Sequence, residues 1–154
     1  MNTVLVTGSN RGLGYEFVKQ YSEKGFDVFA CCRNINEAKS LKKLAEASSN
    51  IEICELDVGN IKTIKNLSHK LQDEKIDVLI NNAGIYRSST VGNINYDDWL
   101  ESFKINTIAP HQIIINFLDQ IKNSDLKKVI SITSKMGSID DNTSGGSYIY
   151  RTSK

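Results

Sequence analysis

The chain has 154 residues, 40% of them apolar and 24% charged, with a formal net charge of +1. That length allows one globular domain with a sizeable core, and a charge so near zero gives no electrostatic reason to expect nucleic acid or an anionic membrane as a partner. No apolar run reaches the ~18 residues of a membrane-spanning helix, and the start MNTVLVTGSNRGLG lacks the basic stretch and cleavage site of a secretory signal.

Three cysteines, two of them neighbours at Cys31 and Cys32, are an odd number. The expectation is a reduced, cytoplasmic protein without a metal site.

In chain order, Val4–Val6 reads as a short apolar strand running into glycines. Leu13, Phe17, Val18 and Tyr21 share one face of a helix that Gly25 closes. Phe26–Cys32 is a second strand. Asn34 with Glu37 reads as a helix N-cap, followed by a stripe of Ala38, Leu41, Leu44 and Ala45. Ile51–Leu56 is a third strand, and Ile61, Ile64, Leu67 and Leu71 mark a third helix. Ile76–Ile80 is a fourth strand. Asn95 caps a long helix with Trp99, Phe103, Asn106, Pro110, Ile113, Phe117 and Ile121 on one stripe. Val129–Thr133 is a fifth strand, and Asp140–Ser147 is a polar loop. Alternation of this kind predicts an α/β fold, with a parallel sheet covered on both faces.

Between strand one and helix one lies T-G-S-N-R-G-L-G, residues 7–14. Glycine permits a sharp turn and lets a phosphate approach the backbone, while the helix N-terminus offers free N–H groups. The spacing Gly8-x-x-x-Gly12-x-Gly14 differs from G-x-G-x-x-G. It is not a P-loop, since no Gly-Lys-Ser/Thr follows. Its place after a strand and before an amphipathic helix favours nucleotide binding over a ligand-free turn. The end of strand two reads Cys31-Cys32-Arg33, without the acid that binds a ribose 2′-OH in NAD sites. Arg11 and Arg33 suit a 2′-phosphate, unless both are simply solvated surface arginines. The prediction is NADP(H) in preference to NAD(H). Asp57 and Asn81-Asn82-Ala83-Gly84 also follow strands, on the edge where such sheets bind ligands.

Tyr150 and Lys154 stand four residues apart, on one side of a helix. A free tyrosine is a weak acid, with a pKa near ~10, and a neighbouring cation favours its phenolate. Tyr15 and Lys19 share the spacing but read as structural, and Tyr148 and Ser131 read as decoys of Tyr150 and Ser134. Pro110 has no N–H, so the carbonyl of Asn106 loses its helical donor and is a natural acceptor for water. An ordinary proline kink with a satisfied core amide is the plain alternative.

The glycine loop, Asp57-Val58, N-N-A-G at 81–84, Asn106, Ser134 and Tyr150-x-x-x-Lys154 together resemble the short-chain dehydrogenase/reductase family. The stretch from Ser134 to Lys154 is most similar to its carbonyl-reductase and C-factor branch. The resemblance covers the whole chain and implies a Rossmann-like, doubly wound parallel sheet of strand order 3-2-1-4-5. It also implies one dinucleotide-binding domain over residues 1–154. Asn106, Ser134, Tyr150 and Lys154 are the implied catalytic residues. Gly8, Ser9, Asn10, Arg11, Gly12, Leu13, Gly14, Arg33, Asp57, Val58, Asn82, Ala83, Gly84, Tyr150 and Lys154 are the implied cofactor residues. In that family Ser134 would hold a substrate carbonyl against Tyr150, the lysine also binds the nicotinamide ribose, and the asparagine serves a water-mediated proton relay.

The implied reaction is hydride transfer between NADP(H) and a small carbonyl or alcohol, by relatives that form homo-oligomers. Relatives continue beyond the lysine with further strands, so the sequence is expected to be a C-terminally truncated fragment with an uncovered fifth strand. Its activity alone is left open. The competing expectations are a nucleotide-binding or signalling protein without turnover, and, less favoured, a methyltransferase using S-adenosylmethionine. Tyr150→Phe separates reductase from signalling protein.

Overall fold

A computed structural model describes residues 1–154. The strands are β1 (Thr3–Thr7), β2 (Asp27–Cys32), β3 (Ile51–Glu55), β4 (Val78–Asn81) and β5 (Lys128–Ser131). They form one parallel sheet in the order β3-β2-β1-β4-β5. The helices are α1 (Gly12–Glu23), α2 (Lys39–Glu46), α3 (Ile61–Lys70), α4 (Tyr96–Phe103), α5 (Ala109–Asn116), α6 (Leu118–Lys122) and α7 (Tyr148–Ser153). This is the predicted doubly wound order.

Strand alternation divides the core in two. Val4, Val6, Val28, Ala30 and Ile80 point to one face and pack with Val18 of α1 and Leu41 of α2. Leu5, Phe29, Cys31 and Leu79 point to the other, against Ile64, Leu67, Ile113 and Phe117. Successive side chains of a strand face opposite ways, so central strands buried on both faces are apolar throughout. The three cysteines are buried and free. Burial pushes the Cys32 thiol above its usual pKa.

Local chemistry sets the connections. Gly25 has φ +79°, its N–H donates to Ser22 O and that of Phe26 to Tyr21 O. This is the Schellman ending that glycine favours. Asn95 caps α4, its Oδ1 accepting from the N–H groups of Asp97 and Asp98 at 2.9 and 3.3 Å. Asp77, just before β4, accepts from the N–H of Thr3, Asp125 and Leu126 at 2.9 to 3.1 Å. Burial alone would raise its pKa, but these three donors outweigh it and hold the carboxyl below its usual value.

Several expectations are corrected. Asn34 does not cap α2: its Oδ1 accepts from Asn36 N–H in a local turn, and the helix starts later, at Lys39. Leu13 leaves the buried face of α1 and is 63% exposed. The long helix is broken. Residues Lys104–Ile108 widen to a π-turn in which the Ala109 N–H reaches back to Lys104 O. The turn ends just before Pro110, which cannot donate to Asn106 and whose ring would crowd that carbonyl. The added residue rotates the buried stripe: Ser102, Ile105, Asn106, Ala109, Ile113 and Phe117 face inward, while Phe103 is exposed.

The sheet is uneven. All of β1 and β4 is buried, whereas every residue of β5 is exposed, with Val129 at 41%.

Candidate active site

Every predicted site residue lies at or near the C-terminal edge of the sheet, where the turns after β1, β2, β3, β4 and β5 meet. The turn after β1 is built around close backbone approach. Gly8 has φ +68°, and a Cβ there would stand 2.9 Å from the Cα of Ala83. A Cβ at Gly14 would collide with the carbonyl oxygen of Gly8. Ser9 is fully buried, donating from Oγ to Val6 O at 2.7 Å. Gly14 and Ser9 therefore shape the turn from behind and stand outside the cavity wall.

Thr7 joins this turn to the one after β4. Its Oγ1 accepts from the N–H groups of Asn82 and Ala83, both at 3.0 Å. The Asn82 amide in return donates to Thr7 O and Gly8 O at 3.0 and 3.1 Å. After β3, Asp57 Oδ1 accepts from Gly59 N–H at 2.9 Å and fixes a tight turn.

These turns enclose a cavity of about 520 Å³, lined by Gly8, Asn10, Arg11, Gly12, Leu13, Arg33, Asp57, Val58, Asn82, Ala83 and Gly84 among others. Sequence reasoning missed further wall residues: Asn34, Glu37, Leu56, Ile85 and Ile105. Leu56 carried a signal as the residue closing strand three, but Ile105 comes from the π-turn and had none. Arg11 and Arg33 are exposed and have no carboxylate partner. The first turn of α1 holds no acidic residue, and no side chain caps it.

A second cavity of about 500 Å³ shares Arg11, Leu13, Asn82, Gly84 and Ile85 with the first. It also holds Ser134, Tyr150 and Lys154, with Tyr86 and Arg87. Ser134 lies beyond the end of β5 and caps a short 3₁₀ turn, Lys135–Gly137, its Oγ accepting from Met136 N–H at 3.2 Å. The hydroxyl proton of Ser134 stays available to another acceptor. Tyr150 packs edge-on against Tyr86, ring centres 5.0 Å apart. Lys154 Nζ donates to Ile132 O at 2.7 Å, and burial lowers its pKa below the usual lysine value. Arg87 is held by Asp98 and Glu101 at 3.4 and 2.8 Å.

Asn106 is buried, as the stripe required, and its side-chain amide is fully engaged. Oδ1 accepts from Ile85 N–H at 2.8 Å, and Nδ2 donates to Ile85 O and Ser153 Oγ, each at 2.9 Å. It locks the loop after β4 to α7. Ser89, unremarked in the sequence, adds to this hold. Its carbonyl accepts from Ser147 N–H at 3.0 Å and its Oγ from Ile149 N–H at 3.1 Å. Behind Lys154 lies a third cavity of about 320 Å³, lined by Asn81, Asn106, Thr107 and Ser131 among others. Both amide atoms of the buried Asn81 lack a partner there.

Residues 2–154 match the family described as short chain dehydrogenase. A 1-hydroxy-2-glutathionyl-2-methyl-3-butene dehydrogenase of Rhodococcus sp. is 33% identical over 156 residues, covering all of this chain and 66% of that protein. The C-signal protein of Myxococcus xanthus is 40% identical over 80 residues, 51% of this chain and 48% of that one. The NADPH-bound carbonyl reductase from chicken fatty liver superposes with a TM-score of 0.89 at 34% identity, covering 100% of this chain and 66% of its own. The chain thus spans about half to two-thirds of the length of these relatives. With the family model matched over residues 2–154, and with a carbonyl reductase among the similar solved structures, the chain belongs to the short-chain dehydrogenase/reductase family.

Proposed function

We propose that this chain carries the cofactor site and the acid–base residues of an NADP(H)-dependent oxidoreductase that interconverts a carbonyl compound and an alcohol. The observation that carries this reading is the joined pair of cavities. The glycine turn with Arg11 and Arg33 lies in one, and Ser134, Tyr150 and Lys154 in the other, with Arg11, Leu13, Asn82, Gly84 and Ile85 in both walls.

The residues fit a dinucleotide. The uncapped start of α1 offers N–H groups to a pyrophosphate. Unpaired Arg11 and Arg33 suit a 2′-phosphate. Asp57 and Val58 line the wall beyond Arg33 and would meet the nucleotide, while Asn82, Ala83 and Gly84 line the wall nearer Tyr150 and Lys154 and would meet its nicotinamide half. A nicotinamide cofactor supplies hydride to a carbonyl carbon.

The chain's own groups handle the proton. Ser134 donates its hydroxyl hydrogen bond to the substrate oxygen, and Tyr150 delivers the proton to that oxygen. Lys154 stands one helical turn on, its ammonium steered by Ile132 O. A lowered lysine pKa makes proton loss from the ammonium easier. The polar cavity behind it has room for ordered water, which the Asn81 amide and the Asn106 carbonyl would hold as a route for replacing the proton. The three reduced cysteines suit a cytoplasmic setting.

The test uses the intact protein that carries this chain, with NADPH consumption followed against a panel of aldehydes and ketones. Tyr150→Phe is expected to lower turnover by roughly 10²- to 10⁴-fold while NADPH binding, read by fluorescence, persists. Undiminished turnover in that variant refutes the catalytic assignment, and failure of the unmodified protein to bind NADPH refutes the cofactor assignment. A protein that binds NADPH but reduces nothing leaves the binding or signalling role standing in its place.

A further inference from the structure

Arg151 follows Tyr150 directly and has no carboxylate partner. Its half-buried guanidinium instead holds three atoms of one segment. Nε donates to Gly146 O at 3.2 Å, Nη1 to Met136 O at 3.3 Å and Nη2 to Ser144 Oγ at 3.2 Å. All three acceptors belong to residues 135–147, the connection from Ser134 to α7.

That connection has little else to define it. Its only regular element is the 3₁₀ turn Lys135–Gly137. Its last three residues, Gly145, Gly146 and Ser147, are all left-handed, with φ of +63°, +66° and +50°. A serine in that region is strained and stays there only when its surroundings demand it. The near end of the segment, by contrast, is pressed against α7. Thr133 Oγ1 donates to Lys154 O at 3.0 Å, and a Cβ at Gly137 would come within 2.8 Å of the Lys154 carbonyl carbon. The bond from Arg151 to Met136 O falls between these contacts, on the residue whose N–H donates to Ser134 Oγ.

We propose that Arg151 is a positioning residue that sets where the Ser134 hydroxyl stands relative to Tyr150. One guanidinium on the tyrosine's helix holds both ends of the segment that begins at the serine. It is absent from the walls of both joined cavities, so its effect on the site runs through the serine turn. The planar fork of arginine reaches three separate acceptors, whereas a lysine ammonium is a single point donor. The inference rests on the oxidoreductase reading given above.

A double-mutant cycle tests it in the intact protein, with Arg151→Met, Arg151→Lys, Ser134→Ala and the two combinations. Turnover is read at saturating NADPH with a ketone that the unmodified protein reduces. Misplacing a catalytic group by an ångström costs on the order of 10²-fold. R151M is therefore expected to lower kcat roughly 10- to 100-fold without changing NADPH affinity, with R151K intermediate. Because both changes act through the same hydroxyl, R151M should add less than about twofold once S134A is present. A residue that merely stabilises the fold gives additive losses, which would overturn the proposal, as would unchanged kcat in R151M. If R151M does not fold, the R151K and S134A cycle decides by the same criterion. An unmodified protein that reduces no carbonyl overturns the oxidoreductase reading and this inference with it. Turnover with additive losses overturns this inference alone.

Discussion

The middle of the sheet and the region around its β5 edge are held together by different physics. In the middle, β1, β2 and β4 are buried almost throughout, and the turns after β1 and β4 close by backbone contact at Gly8 and Gly14. At the edge, β5 is exposed along its length, and α7 is a six-residue helix. So short a helix is marginal by itself. Asn106, Trp99 and Thr107 donate hydrogen bonds to it, and Ser89 Oγ accepts one from the Ile149 N–H. Apolar burial dominates the middle; at the edge one buried apolar side chain of α7, Ile149, is joined by several polar ties. Where a short element must be placed accurately, directional bonds do what a small apolar contact cannot.

That contrast can be broken from either end. The largest effect is expected on the packed side: Gly14→Ala forces a methyl into the Gly8 carbonyl and should cost about 3 kcal/mol, seen as a lowered midpoint in denaturant. An unchanged midpoint would mean that the turn yields easily and that packing is not what sets it. On the tied side, Asn106→Ala removes three side-chain hydrogen bonds yet keeps the backbone carbonyl. A loss of about 2 kcal/mol is expected, with faster amide exchange in α7 than in β1. Equal protection of the two would remove the distinction between middle and edge.

A smaller effect concerns affinity alone. Arg33→Ala should weaken NADP(H) about tenfold, roughly 1.4 kcal/mol, and leave NAD(H) binding unchanged, measured by fluorescence titration. Equal weakening of both cofactors would show that Arg33 does not meet a 2′-phosphate. The smallest effect is a pH dependence. Burial lowers the folded-state pKa of Lys154 below its unfolded value. Between those two values the unfolded chain holds more protons, so stability should rise with pH across that alkaline window. At lower pH the lysine is charged in both states and the burial penalty is fully present. Melting temperatures of the unmodified protein and Lys154→Met, compared across the window, check this. Parallel curves would contradict it.

Much of this was legible in residue order. Alternating apolar runs predict five strands, and the structure holds a strand at each: Val4–Val6 is buried as expected, while the edge strand starting at Ile51 buries only Cys54. The capping roles of Gly25 and Asn95 were readable because each acts on its own neighbours. The π-turn was not readable, since periodicity assumes one pitch throughout, and this mistaken pitch put Phe103 inside. Asn34 is ambiguous in sequence for a similar reason: the side chain that suits a helix cap suits the local turn it makes equally well.

The sequence by itself determined the strand alternation, the glycine turn and the residues that mark the family, because these depend on spacing along the chain. Only the tertiary structure decided that Asn106 grips Ile85, that Ser89 holds the start of α7, and that Arg151 reaches back across the loop from Ser134. Those contacts join residues whose separation in sequence carries no period, and they form only once the sheet has brought its C-terminal turns together.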